Sequence, residues 1–284
     1  MQRELNFSGP SPILYLVATP IGNLSEWSPR AIETVKDADY VACEDTRHSG
    51  ELLSRFNIDK QLISCHEHNE EQAGEYIVSL LKDGKKVCYM SDAGYPAISD
   101  PGSRLVKRCL ENGIKVSTIS GPNAALNALA SSGLDSTHFY FHGFLPPKSN
   151  ERKKELEQLS GKGETIIFYE APHRIEATLK EVYSVLGNRQ ACLARELTKT
   201  HEEFIRGDLE SLSKLDSSTL RGEMVLIVAG FTGGKEVSEE DIRLALKDAL
   251  KGGLKGKEAV SEVCDRLDVK KNRVYEIYLK EFRS

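Results

Sequence analysis

Lys86-Val87-Cys88-Tyr89-Met90-Ser91-Asp92-Ala93-Gly94-Tyr95-Pro96-Ala97-Ile98-Ser99-Asp100-Pro101-Gly102 is the stretch on which the fold turns. Its opening apolar run is short and bounded by turn residues, which reads as a buried parallel strand. The loop after it holds two carboxylates and two prolines, more than an ordinary strand-to-helix turn needs. Two similar units flank it. Ile13-Leu14-Tyr15-Leu16-Val17-Ala18 leads into Thr19-Pro20-Ile21-Gly22-Asn23-Leu24. Lys115-Val116-Ser117-Thr118-Ile119 leads into Ser120-Gly121-Pro122-Asn123-Ala124-Ala125. Each loop leaves the carboxyl end of its strand, where open α/β sheets bind ligands near a topological switch. Gly and Ala let a ligand approach the backbone, and Pro fixes φ.

Between these strands the helices are legible. Ser28-Pro29-Arg30 offers a cap and a first-turn proline, followed by Ala31, Ile32, Val35 and Ala38 at helical spacing. Tyr40-Val41-Ala42-Cys43 reads as a strand ending in Glu44-Asp45-Thr46-Arg47. Helices are predicted over 71–82 and 103–112, the second ended by Asn112-Gly113. Residues 12–121 therefore predict a parallel doubly wound α/β domain. From 122 to 232 the style changes. A helix over 122–132 precedes strands near 138–144, 165–169, 190–195, 203–207 and 223–230, with helices near 149–159, 173–186 and 208–214. Fewer crossover helices per strand predict a second α/β domain with a mixed sheet. The site is expected in the cleft between the two domains.

Residues 1–11 read as a loose arm. Residues 238–284, set off by Thr232-Gly233-Gly234, read as a small helical domain with helices over 239–250, 257–267 and 270–282. The short turn at Asp268-Val269 gives the last two the pattern of a helix-turn-helix. Lys251, Lys255, Lys257, Lys270, Lys271 and Arg273 make the segment locally basic. Its alternatives are nucleic-acid binding and a helical cap with a solvated basic face.

The 284 residues are 39% hydrophobic and 29% charged with a net charge of −5, which suits a globular protein and does not advertise nucleic-acid binding. A local basic patch would be enough for it. No apolar run approaches membrane-spanning length and no secretory pattern opens the chain. The six cysteines are scattered with no C-x-x-C pair, as expected of reduced core thiols in a cytoplasmic protein. Phosphate-cradling G-x-G-x-x-G and G-x-x-x-x-G-K-[ST] loops and the G-x-S-x-G elbow are all missing. His66-Glu67-His68 would put two imidazoles on one face of a strand, but no third ligand stands at a telling spacing, so no metal is expected.

Six motifs follow one another in order: Thr19–Leu24, Glu44–Arg47, Ser91–Gly102, Tyr169-Glu170-Ala171-Pro172-His173-Arg174, Arg195-Glu196-Leu197-Thr198-Lys199 and Arg221-Gly222-Glu223. Together they resemble the ribosomal-RNA branch of the tetrapyrrole methylase superfamily, over residues 12 to 231 and into the helical extension. The first loop departs from the Gly-rich form of the porphyrin-modifying relatives, which favours the RNA branch.

The resemblance implies S-adenosylmethionine as methyl donor, a homodimer, and 2′-O-methylation of a cytidine ribose. The implied partner is small-subunit ribosomal RNA or the assembled small ribosomal subunit, with no membrane. It places the cofactor on Pro20, Asp92, Ala93, Gly94, Ile98, Ser120, Gly121, Ala125, Tyr169, Pro172 and Met224. A ribose hydroxyl is a very weak acid, so a general base or an alkoxide-stabilising cation is expected. Candidates are Glu44, Asp45, Asp100, Glu170 and Lys199, with Glu196 and Glu223 beside them. Arg47, Arg174, Arg195 and Lys199 are candidates to grip RNA. Two alternatives stay open. One is a methylase acting on a tetrapyrrole or another small molecule, and the other is a non-catalytic nucleic-acid-binding protein.

Overall fold

The computed structural model describes residues 5–6, 12–216, 218, 220–233, 238–267, 269 and 271–282. Five parallel strands form the first sheet: β1 (Ile13–Val17), β2 (Tyr40–Cys43), β3 (Gln61–Ser64), β4 (Val87–Met90) and β5 (Lys115–Ile119), in the order β3-β2-β4-β1-β5. Helices α1 (Pro29–Asp37), α2 (Thr46–Arg55), α3 (Glu70–Lys82) and α4 (Ser103–Glu111) connect them. β4 is buried at all four positions, as a central strand covered on both faces must be. From β2 the chain runs outward to edge strand β3, whereas from β4 it runs the opposite way to β5. The carboxyl ends of β2 and β4 therefore flank a topological switch point.

α2 and β3 are additions to the sequence reading, which stopped at Arg47. Thr46-Arg47-His48-Ser49-Gly50 gives helix α2 a polar start. Edge strand β3 is only four residues long. The Asp45 side chain caps α2 by accepting from the Arg47 N–H at 2.8 Å. His66 and His68 follow β3 in a turn instead of alternating along a strand, and the His68 N–H donates to His66 Nδ1.

The start of α4 has no capping side chain of its own, because Gly102 stands there. Buried Glu70, from α3, supplies the acceptor: one of its oxygens takes the N–H groups of Gly102, Arg104 and Leu105 at 3.0, 3.0 and 3.1 Å. Three helix-start donors thus converge on one carboxylate. Glu70→Ala is expected to destabilise the chain by about 1–3 kcal/mol, since the buried donors lose their acceptor. Urea unfolding with unchanged m-value measures it.

The second sheet follows α5 (Ala124–Ser132) and contains β6 (Phe139–Phe144), β7 (Thr165–Glu170), β8 (Gln190–Arg195), β9 (Glu203–Asp208) and β10 (Met224–Val228). Its order is β6-β7-β10-β8-β9, with β6 and β7 parallel and the remaining pairs antiparallel. This is the mixed sheet expected from the sequence. Helices α6 (Ser149–Leu159), α7 (Ile175–Leu186) and α8 (Leu209–Leu212) pack on one face with Phe168, Leu193 and Leu226. On the other face α5 buries Ala125, Ala128 and Leu129 against Ile167, Cys192 and Val225.

One compact unit holds both sheets up to Ala229, apart from residues 161–163; those three and the residues from 230 onward form a second unit. In the second unit α9 (Glu239–Lys251), α10 (Lys257–Leu267) and α11 (Lys271–Glu281) enclose Ile242, Leu246, Val260, Val263, Val274 and Ile277. Ser238 and Asp241 close a capping box at the start of α9. Asp268, Lys270 and Gly234, part of the expected turn, basic face and linker, lie outside the described residues, as does most of the expected arm over 1–11. Of that arm, Leu5 and Asn6 are tied to β5 through Lys115 and the Val116 carbonyl.

Candidate functional site

The loop after β4 is the hub of the site. Thr19 and Gly94 exchange backbone hydrogen bonds at 2.9 and 3.1 Å, stitching it to the loop after β1. The Asp45 N–H donates to Asp92 at 3.4 Å, bringing in the end of β2. The Gly121 N–H donates to the Tyr95 hydroxyl at 3.1 Å, bringing in the loop after β5. Backbone strain concentrates here too. Among the described residues five non-glycines have positive φ, and four of them border the site: Ala97, Ser99, Glu196 and Thr198. Such conformations cost energy and persist where the surroundings over-determine them, commonly at functional sites.

These loops enclose a cavity of about 440 Å³. From the first sheet come Glu44, Asp92, Ala93, Gly94, Ile98 and Asp100; from the second come Tyr169, Glu170, Pro172, Glu223 and Met224. All were expected from the sequence. Tyr95, Asn123, Phe144 and Leu197 also line it and were not singled out. Phe144 is the readable omission. It ends a strand beside Tyr169, with ring centroids 5.5 Å apart, and it is 54% exposed despite its size. Ser120, Gly121 and Ala125 do not line this cavity. Ser120 is exposed, Gly121 is bonded to Tyr95, and Ala125 is buried in the second-sheet core.

The lining contains five carboxylates and no Lys, Arg or His. Crowding acidic groups in a half-buried space favours their neutral forms. Burial, then the charge of Glu44, pushes the Asp100 carboxyl up to about 6, with the Ser91 hydroxyl working the other way. Glu44 is raised as well, by burial and then by Asp92. The other carboxylates are differently engaged. Asp45 caps α2 and holds Arg47 through two hydrogen bonds at 3.1 and 2.7 Å, which keep its carboxyl far below the usual range. Buried Glu170 accepts from the Ala171 N–H at 2.8 Å and the Thr178 hydroxyl at 2.5 Å, and lies 3.2 Å from Arg174 Nε.

The four basic candidates also separate. Arg174 clamps the Leu145 and Pro146 carbonyls at 2.6 and 3.2 Å, and Arg195 is bonded to Glu203. Arg47 points into solvent, with 88% of its side chain exposed. Lys199 Nζ lies 2.9 Å from Glu196 and 3.8 Å from Glu223. It lines a second cavity of about 510 Å³ together with Pro20, which is absent from the first. No group of three or more His, Cys, Asp or Glu among the described residues could hold a metal.

Gly94 sits at φ +78°, where a side chain is strained although a Cβ would meet its nearest neighbour, Ile21, at an ordinary 3.5 Å. Gly94→Val is therefore expected to distort the Thr19–Gly94 bridge. With Asp92→Ala it should weaken S-adenosylmethionine binding at least tenfold by calorimetry, about 1.4 kcal/mol. Unchanged affinity in both variants would remove this loop from the ligand site.

Residues 13–213 match the family Tetrapyrrole (Corrin/Porphyrin) Methylases. The protein named ribosomal RNA small subunit methyltransferase I in Bacillus subtilis (strain 168) is 43% identical over 288 residues, covering 98% of this chain and 98% of its own. Its namesake in Halalkalibacterium halodurans is 44% identical over 276 residues, covering 94% and 95%. Among solved structures, the methyltransferase CobJ aligns with a TM-score of 0.59 at 15% identity over 79% of this chain and 96% of its own, a likeness of fold alone. Two sheets joined at an acidic cleft, a family match over most of the length and this near end-to-end similarity lead to one assignment: the chain belongs to the tetrapyrrole methylases, in the branch of the ribosomal RNA small subunit methyltransferases I.

Proposed function

We propose that the first cavity binds S-adenosylmethionine and that the chain uses it to methylate the 2′-oxygen of a cytidine ribose in small-subunit ribosomal RNA. The chain is an S-adenosylmethionine-dependent methyltransferase of ribosomal RNA by family; the nucleotide and the atom are the proposal. The acidic, lysine- and arginine-free lining carries the assignment of the cofactor. Its ligand is cationic at sulfur and at the α-amino group, and aromatic at adenine. Glu44, Asp92, Asp100 and Glu223 suit the cations, Tyr169 and Phe144 suit the ring, and 440 Å³ falls within the roughly 300–1,000 Å³ of small-molecule sites. When bound, the cofactor supplies an electrophilic methyl group.

The chain's own residues must position the acceptor and take its proton. Asp100 is the general base of this proposal. A pKa near 6 keeps it ionised at neutral pH yet basic enough to accept a proton. Burial, and after it the charge of Glu44, holds that value up. Asp45, Glu170 and Arg174 act as supports, because each is already engaged by caps, carbonyls or ion pairs.

Calorimetry with S-adenosylmethionine, then tritiated-methyl transfer to naked RNA, assembled small subunits and a porphyrin, tests the reading. Transfer to either RNA form and none to porphyrin supports it; porphyrin alone accepting methyl refutes it. Loss of one 2′-O-methylcytidine from ribosomal RNA of a strain lacking the protein would identify the nucleotide.

The reading includes a cytoplasmic homodimer with functional regions at 12–121, 122–232 and 238–284. Two-fold assembly is the commonest among soluble oligomers, and sedimentation at micromolar concentration checks it. No helix among the described residues is long and apolar enough to cross a membrane. Deleting residues 235–284 is expected to spare cofactor affinity and lower RNA methylation, most strongly at low salt if its lysines neutralise phosphates, because that contribution falls as salt rises. Equal methylation by the truncated chain would assign those helices to stability alone.

A further inference from the structure

The second cavity differs from the first in charge and in origin. One stripe of α2, His48, Glu51, Leu52 and Arg55 at helical spacings of three, one and three, forms one wall. Lys199, from the loop after β8, stands on another. Pro20, Ile21 and Leu52 give it a buried apolar floor. The two cavities share Ile21, Asp92, Ala93 and Glu223, so whatever fills the second lies against whatever fills the first. Asp100 lines the first alone, near enough to Asp92 and Glu223 for their charges to act on it, and faces the second across that shared wall.

We infer that this second cavity takes the acceptor: one unpaired nucleotide of the RNA, its sugar toward the Asp92–Glu223 wall and its phosphodiester on Arg55. The inference rests on the reading of the first cavity as the methyl-donor site. The apolar floor suits a base and sugar, and Arg55 with Lys199 offers a phosphate the cations that the first cavity lacks, on a wall that also carries Glu51, Asp92 and Glu223. A nucleotide inside a duplex could not enter a cavity, so it must be unstacked and unpaired. The first cavity, with carboxylates alone, would repel that phosphate.

The two cations have different parts. Lys199 is partly neutralised by Glu196 and Glu223, and its stem lies across Gly22, where a Cβ would come within 2.6 Å of Lys199 Cγ. It is fixed in place across the first loop, at the shared wall. Arg55 makes no side-chain hydrogen bond or ion pair among the described residues and is exposed, so its guanidinium is the uncommitted one. A planar guanidinium meets a phosphate through two parallel hydrogen bonds. Arg55 was not singled out from the sequence, because the helix carrying it was not.

The test uses full-length protein, S-adenosylmethionine, and whichever RNA form the wild type methylates. Arg55→Ala should raise KM for RNA about tenfold through loss of one charge-assisted contact. Its affinity for S-adenosylmethionine should stay unchanged. Plotted as log affinity against log salt, RNA binding by anisotropy should lose about 0.7 of slope, one phosphate's share on a single strand. Arg55→Lys, keeping the charge, should restore the slope. Unchanged KM and slope in Arg55→Ala, with the wild type methylating RNA, would overturn the acceptor assignment and leave the donor site standing. A wild type that binds S-adenosylmethionine and methylates no RNA would overturn the functional reading itself, and this inference with it.

Discussion

Replacing Asp100 with Asn is expected to lower kcat for RNA methylation by about 10²–10⁴-fold, the usual contribution of a positioned general base. Cofactor affinity should fall much less, because Glu44, Asp92 and Glu223 remain in the cavity. The pH profile gives an independent reading. Asp100 must be ionised to act, so wild-type kcat/KM should rise with pH and level off above about 6. A bound cation favours the carboxylate, so the corresponding limb in kcat should lie lower. In the Asn variant both limbs should vanish. Stability should move in the other direction. A carboxyl raised from 3.8 to about 6 binds its proton more tightly in the folded chain than in the unfolded one. Its contribution is present at low pH and is lost as pH rises through that interval. Asn carries no such loss, so the variant's Tm at pH 7 should match or exceed the wild type's. A loss of activity accompanied by unfolding would point instead to a structural role.

Glu170→Ala is expected to show that opposite signature. Glu170 is 2% exposed and organises the start of α7 through Ala171, Thr178 and Arg174. Removing it leaves the half-buried Arg174 guanidinium without its counter-charge and the Ala171 and Thr178 donors without their acceptor, at a cost of roughly 3–5 kcal/mol. For a unit of this size that is a Tm decrease of roughly 10 °C or more. Glu170→Gln should recover part of it, since an amide oxygen still accepts from Ala171 and Thr178. Scanning calorimetry measures both variants. Full stability with lost activity would make Glu170 a reacting group, contrary to the assignment here.

Much of this architecture is written locally. Short apolar runs ending in Thr19-Pro20, Ser91-Asp92 and Ser120-Gly121 mark parallel strands, because a strand buried on both faces has no polar alternation to show. Ser28-Pro29 marks a helix start by cap chemistry alone. The change from regular crossovers to closely spaced strands marked the mixed second sheet. The loops followed from strand ends. Of the eleven positions that the resemblance gave the cofactor, eight line one or other cavity and Gly121 is bonded to Tyr95, whereas Ser120 is exposed and Ala125 went to the core because α5 turns it toward Ile167 and Val225.

Two α/β sheets, a helical extension, the three strand-end loops and the kinship to a methylase family are all legible from residue order. What each charged side chain does is not, because it depends on contacts made only on folding. Asp45, Asp100 and Glu170 are equivalent as letters. One is pinned to Arg47 at a helix cap, one is held near a pKa of 6 by burial and Glu44, and one is enclosed by Thr178 and Arg174. The same holds for Arg174, claimed by carbonyls, and Arg55, left free to meet a ligand. The physical reason is range. Helix and strand formation depend on neighbours a few residues away, whereas a carboxylate's proton affinity and an arginine's availability depend on groups brought together by the folding of distant segments.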